Sequence, residues 1–239
     1  MGRDPNSPAV GGCSMGMRDA DRYNRWQFDV IRPYLRGSIL EIGCGIGNLT
    51  QFLVEAGPVL ATDISGEALE ILSRRLDGAG RLRVRQIDLT RAGADLGERF
   101  GTVVMLNVLE HIEDEAAMLS AIRRHLAPDG RLVVLVPAHP WLYSRLDRAA
   151  GHFRRYSERS LAATLERCGF RPARLVRFNP AGALGWLLNK WLGGGGLIGR
   201  ETAAQVSFFN RAVPLLRRMP TGRIPVALSL IAIAEPHGP

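Results

Sequence analysis

Cysteine is scarce in this sequence: Cys13, Cys44 and Cys168 are odd in number, and no Cys-x-x-Cys pair occurs. That usage excludes a disulfide framework and a thiolate zinc ribbon, and a reducing cytoplasmic setting is expected. Lysine is nearly missing as well, since Lys190 is the only one among 31 basic residues. The arginines that make up the formal charge of +8 are scattered, as Arg74, Arg81, Arg91, Arg123 and Arg148 show. A nucleic-acid footprint clusters on one face, so no nucleic-acid partner is expected. No apolar run reaches the ~18 to 20 residues that cross a bilayer, and the start has no apolar core of a secretory signal. Neither a membrane span nor export is expected.

What is present is globular. A chain of 239 residues that is 46% hydrophobic and 23% charged has enough apolar material for one packed core. Met1 to Ser7 resembles a vector-derived leader. Residues 1–17 are therefore set apart as tag and disordered leader, and 18–239 are taken as one domain.

Apolar spacing predicts an entry helix over 22–35, then strand 38–42, a glycine turn at 43–47 and helix 48–56, which Gly57-Pro58 ends. The rhythm repeats as strand 59–64, helix 67–76, strand 82–89, strand 102–107, helix 114–126, a Pro128-Asp129-Gly130 turn and strand 131–136. Short apolar strands alternating with amphipathic helices predict a mostly parallel sheet covered on both faces, a doubly wound α/β fold. After Pro137 come a polar and aromatic loop, helix 157–168, strand 174–178, an apolar Gly-rich insert over 180–199, helix 201–218 and a last strand over 226–234.

Glu41-Ile42-Gly43-Cys44-Gly45-Ile46-Gly47 falls where the first strand meets the first helix of the repeat, the place where open α/β sheets bind ligands. A dinucleotide fingerprint wants its third glycine three residues after the second, where this chain has Asn48. Glu41 offers a carboxylate to an ammonium, and Gly43 and Gly45 allow close backbone approach. Asp63 closes the second strand about 20 residues after the first glycine, where an acid can accept both ribose hydroxyls. Asp88 is placed at the end of the third strand, facing the exocyclic amine of an adenine that Leu89 covers. Asn107 and Val108, with His111 shortly after, follow the fourth strand.

In this order, Glu41 to Gly47, Asp63, Asp88 and Asn107-Val108-Leu109-Glu110-His111 resemble the motifs of the class I S-adenosylmethionine-dependent methyltransferase superfamily over about residues 20–178. The resemblance implies a Rossmann-like seven-stranded sheet of order 3-2-1-4-5-7-6 with strand 7 antiparallel; the apolar, Gly-rich insert is expected to contribute a helical lid over about 180–218, between strands 6 and 7. It implies S-adenosyl-L-methionine as cofactor and S-adenosyl-L-homocysteine as product. The implied cofactor residues are Tyr23, Trp26, Glu41, Gly43, Cys44, Gly45, Asp63, Ile64, Asp88, Leu89, Asn107, Val108 and His111. Leu142 to Asp147 and Gly151 to Tyr156 also resemble a bacterial branch that acts on small molecules or lipid-linked sugars.

Methyl transfer from a sulfonium is an in-line displacement, so alignment is the main task, and a base is needed only for a nucleophile that carries a proton. His139, His111, Tyr143, His152 and Tyr156 are the candidates at the mouth, with His139 preferred as base; Arg154 and Arg155 are candidate clamps for an anionic acceptor. No carboxylate set for magnesium is visible, and no metal is expected. The acceptor is expected to be a small molecule, from specialised metabolism or lipid-linked, on a monomer or homodimer. The apolar stretch 183–192 is expected to act as a lid, with membrane contact the less favoured reading. The competing functional class is a cyclase or other non-methylating enzyme that uses the cofactor to shape its site.

Overall fold

The computed structural model describes residues 21–91, 93–180, 213–214 and 226–237. The leader over 1–17 and most of the expected lid, including 183–192, lie outside them. Thirteen regular elements are described, in the order α1 (Asp21–Ile31), β1 (Ile39–Ile42), α2 (Thr50–Ala56), β2 (Val59–Asp63), α3 (Gly66–Arg75), β3 (Leu82–Gln86), β4 (Phe100–Leu106), α4 (Glu115–His125), β5 (Leu126–Pro137), α5 (Arg145–Ala149), α6 (Glu158–Arg167), β6 (Phe170–Phe178) and β7 (Ser229–Pro236).

The seven strands form one sheet of order β3-β2-β1-β4-β5-β7-β6, parallel except for β7, which runs antiparallel to both β5 and β6. The expected architecture is therefore present. Its cause is visible in the alternation of side chains along each central strand. Leu40 and Ile42, Val103 and Met105, and Leu132, Val134 and Val136 point to one face, where Met118, Leu119 and Ile122 of α4 and Leu161 and Leu165 of α6 cover them. Ile39, Val104, Val133 and Leu135 point to the other, under Trp26, Phe28 and Ile31 of α1, Leu53 of α2 and Leu69 and Leu72 of α3. A strand buried on both faces reads as an unbroken apolar run, which is why β1, β4 and β5 are legible locally.

Three boundaries differ from expectation in ways that matter for the site. β3 ends at Gln86, so Asp88 stands two residues past the strand rather than at its tip. β5 begins at Leu126, not Arg131: Phe100 pairs with Leu126 and Thr102 with Arg131, and the intervening Pro128-Asp129-Gly130 turn bulges out between those pairs. β6 starts at Phe170, because the chain enters pairing with β7 as soon as Gly169, at φ 77°, reverses it out of α6. Among the described residues no helix is long and apolar enough to cross a membrane.

Candidate functional site

The loop after β1 is held by its own backbone. The Gly43 and Cys44 amides both donate to the Thr62 carbonyl at 2.8 and 3.0 Å, and the Gly47 amide donates to the Cys44 carbonyl at 3.0 Å. Gly43, Gly45 and Gly47 all have positive φ, at 70°, 52° and 85°. At Gly43 the need for glycine is also steric, since a Cβ there would overlap Val108 Cγ2. The glycine turn and the segment after β4 thus touch across the crevice at a separation that no side chain permits.

Glu41 ends up buried, with 4% of its surface exposed, and its Oε2 accepts from the Thr50 hydroxyl at 2.6 Å. Burial pushes its pKa up to about 8, against which the Thr50 hydrogen bond works; the Asp63 charge adds to the rise. A carboxyl neutralised by burial regains its charge when a cation is brought beside it. Asp63, at the tip of β2, accepts from the Gly45 amide at 2.8 Å and from the Ser65 amide at 2.9 Å. Each oxygen keeps a second lone pair for a ligand hydroxyl. Cys44 is buried, and burial drives its thiol pKa far up, with the Glu41 and Asp63 charges adding to it. Ile64, just past β2, leaves 53% of its surface exposed beside this carboxylate.

A cavity of about 590 Å³ lies between the starts of α1 (Asp21, Arg22, Arg25) and α2 (Gln51, Phe52) and Val213-Pro214; no residue of the glycine turn lines it. Tyr23 and Trp26, in contrast, are core residues: both rings pack against Phe178, at centroid separations of 5.8 and 4.5 Å. Leu89 is also buried, in the cluster beneath α4. Asp88 accepts from the amide and hydroxyl of Thr90 and from Arg91 Nε. Burial opposes its charge, but these bonds outweigh it and hold its pKa below the ordinary carboxylate value. Its carboxylate thus caps a turn in this structure.

Asn107 follows β4 in the left-handed region, φ 54°, with its amide bonded to the Leu135 carbonyl at 2.8 Å and its side chain exposed. A turn of 3-10 helix over Leu109–His111 then sends Glu110 inward and His111 outward.

The loop after β5 holds most of the residues expected at the acceptor side. Ala138 and Tyr156 form a parallel bridge that closes it at its neck, with the His139 amide on the Tyr156 carbonyl at 2.8 Å and the Tyr156 amide on the Pro137 carbonyl at 2.9 Å. Inside, Asp147 is fully buried and gathers the loop: it accepts from Arg155 Nε at 2.7 Å, the Ser144 amide at 2.8 Å and His152 Nδ1 at 3.1 Å. Burial works against its charge, and the bonds from His152 and Arg155 outweigh it, keeping its pKa low.

The five candidate catalytic residues divide accordingly. Tyr156 is buried and donates its hydroxyl to Glu115 at 2.6 Å; burial and that carboxylate drive its pKa up, away from any base role. Tyr143 donates to the His152 carbonyl at 2.7 Å. His139, at φ 61°, accepts the Ala227 amide on Nε2 at 3.2 Å, so its lone pair is already engaged; burial, with Arg177 and Arg155 nearby, lowers its pKa. His111 and His152 are brought together, ring centroids 4.7 Å apart and nearly perpendicular. Burial and the His152 ring lower the His111 pKa, and a backbone hydrogen bond at Gly151 works the other way. Of the two arginine clamps, Arg155 is committed to Asp147 and the Ala138 carbonyl, and Arg154 pairs with Glu115 at 2.9 Å.

Sequence reasoning missed Glu110. It is 1% exposed, and neither carboxylate oxygen has a hydrogen-bond partner. Burial pushes its pKa up to about 8; its own backbone N–H dipole, close by but not in hydrogen-bond geometry, and the Arg155 charge work against the rise, and Asp147 adds to it. Its place between Leu109 and His111 carried no signal of burial, because the 3-10 turn that aims it inward depends on packing under α4.

A methyltransferase domain model matches residues 40–132. A mitochondrial ubiquinone biosynthesis O-methyltransferase of Schizosaccharomyces pombe is 34% identical over 99 residues, which are 40% of this chain and 36% of that protein. The chain therefore spans well under half the length of this relative. Among solved structures, a S-adenosylmethionine-dependent methyltransferase from Thermotoga maritima superposes with TM-score 0.65 at 13% identity, covering 95% of both chains. A glycopeptide N-methyltransferase complexed with S-adenosyl-L-methionine gives TM-score 0.58 at 17% identity, over 90% of this chain and 87% of its own. At such identities the superpositions speak for the fold alone. The methyltransferase-domain match begins in β1 and reaches β5, so this part of the chain is similar to a methyltransferase domain, on a sheet of order 3-2-1-4-5-7-6.

Proposed function

We infer that the chain binds S-adenosyl-L-methionine at the tips of β1, β2 and β4 and methylates a small molecule, from specialised metabolism or lipid-linked. The observation that carries this reading is the pairing of a close-approach glycine turn with two carboxylates of different character. Glu41, neutral through burial, suits the ammonium of the cofactor's amino-acid end, and Asp63, anchored by two amides, suits vicinal hydroxyls. The three left-handed glycines make the cradle through which backbone groups approach the ligand. Bound there, the cofactor supplies an electrophilic methyl group on a sulfonium. The chain's own residues align the acceptor: Asn107 and Val108 border the cofactor, and the His111–His152 pair stands at the acceptor side. Alignment of this kind removes much of the barrier without any covalent intermediate on the protein.

Calorimetry with S-adenosylmethionine, S-adenosylhomocysteine and NAD tests the cofactor. Binding of the first two with no measurable binding of NAD is expected; preference for NAD overturns the reading. Transfer of labelled methyl into an extract of the native host, with mass spectrometry of the labelled product, then identifies the acceptor class.

A further inference from the structure

Glu110, His111 and His152 are brought together by two separate segments, the turn after β4 and the loop after β5. One ligating atom from each lies within 4.8 Å of the others. Glu110 is 99% buried by its 1% exposure, and both its oxygens lack a partner. A buried carboxyl group whose oxygens have no hydrogen-bond partner is costly, so a fold that keeps one there has a use for it. The two segments are tied at this point, since the Phe153 amide donates to the Glu110 carbonyl at 2.8 Å.

The third observation is behind His152. A carboxylate only accepts, so the 3.1 Å contact between Asp147 Oδ1 and His152 Nδ1 fixes the proton on Nδ1 and leaves Nε2 as the ring's lone-pair donor. Asp147 is itself held by Arg155 and Ser144 and cannot swing away. A buried carboxylate orienting one imidazole, beside a second imidazole and a bare carboxylate, is the arrangement by which proteins prepare histidine to ligate a metal.

We propose that Glu110, His111 and His152 bind one first-row divalent cation of the zinc type, with Asp147 as the residue that positions His152. Two imidazoles and one carboxylate suit such an ion, whereas magnesium and calcium prefer all-oxygen shells. Three protein ligands leave a coordination position open, as in catalytic rather than structural sites. An acceptor hydroxyl or phenol occupying that position is made more acidic by the cation, which removes the need for a strong protein base. This fits the engagement of His139, Tyr143 and Tyr156 in other bonds. The proposal rests on the ligand cluster alone and stands whether or not the chain transfers methyl groups.

The test is metal binding to the full chain without cofactor. Purified protein is stripped with chelator and titrated with Zn²⁺ by calorimetry and with Co²⁺ by visible absorption, whose ligand-field bands report imidazole and carboxylate coordination. One equivalent bound per chain is expected. Glu110→Gln and His152→Ala should each weaken binding by ~100-fold or more, and Asp147→Asn by about 10- to 100-fold, the range for residues that orient a ligand. Thermal unfolding of each apo variant checks that it is folded, and His111→Ala, at an exposed position, gives an independent removal of one ligand. A Cys168→Ser background removes the half-buried thiol as a competing site. Failure of the wild-type chain to bind either ion stoichiometrically, or unchanged affinity in the folded ligand variants, overturns the proposal.

Discussion

Replacing Gly43 with alanine perturbs the crevice at its narrowest point. The residue has φ 70°, which costs a non-glycine residue about 1–2 kcal/mol. Its new Cβ also overlaps Val108 Cγ2 and lies 3.5 and 3.6 Å from Val108 Cγ1 and Cβ. Overpacking of that kind costs about 1–3 kcal/mol. Gly43→Ala should therefore destabilise the chain by roughly 2–5 kcal/mol. Val108→Ala alone loses only part of a half-buried side chain, and it removes the overlap, so the double variant should keep the backbone cost and lose the steric one. A double-mutant cycle by urea unfolding should return a favourable coupling of about 1–3 kcal/mol. Additive single effects, or a Gly43→Ala variant as stable as wild type, would refute the contact between the two loops.

Glu41 has a folded-state pKa of about 8 against an ordinary 4.5, so its contribution to stability is lost as pH rises from 4.5 to 8, where only the unfolded chain ionises. An ammonium ligand restores its charge, so cofactor binding near neutral pH should release roughly one proton. Calorimetry in two buffers of different ionisation enthalpy measures that release, and Glu41→Gln should abolish it. Asp63→Ala removes the acceptor for the Gly45 and Ser65 amides together with the ribose contact, and should weaken cofactor binding by ~100-fold or more, as loss of charged hydrogen bonds does; near-normal affinity would displace the ribose from β2. Asp147→Ala leaves the Arg155 guanidinium buried with 2% exposure, and chemical denaturation should show a loss of about 3–5 kcal/mol. Replacing both partners with apolar residues should recover part of it.

The fold was legible wherever a strand is buried on both faces. β1, β4 and the later half of β5 announce themselves as apolar runs, and in the structure α4 and α6 are capped by the side chains of Asp114 and Ser157, at Ala117 and Ser160. The strand order came from resemblance to known motifs, since pairing β1 with both β2 and β4 is a non-local fact that no local spacing encodes. β3 misled because Ile87 and Leu89 continue its apolar pattern into the core while Asp88 turns the backbone through bonds to Thr90 and Arg91. Tyr23 and Trp26, which the resemblance implies as cofactor residues, pack on Phe178, a contact 150 or more positions along the chain that local spacing does not encode.

At the candidate site, the positions of Glu41, Asp63 and the glycine turn at the strand ends were legible because strand ends and glycine spacing are local. The acceptor loop was not. Whether His139 has a lone pair to offer depends on Ala227, 88 positions later in the chain, and whether Glu110 is solvated depends on the packing of a single 3-10 turn. Asp147 carried no visible partner in the sequence, yet it organises Ser144, His152 and Arg155.

A crystal structure grown with S-adenosylhomocysteine addresses the central claim most directly. It should show the ribose hydroxyls on Asp63, the amino group beside Glu41 and the backbone of Gly43 to Gly45 against the ligand. A nucleoside bound elsewhere, or Glu41 and Asp63 turned away from it, would contradict the account.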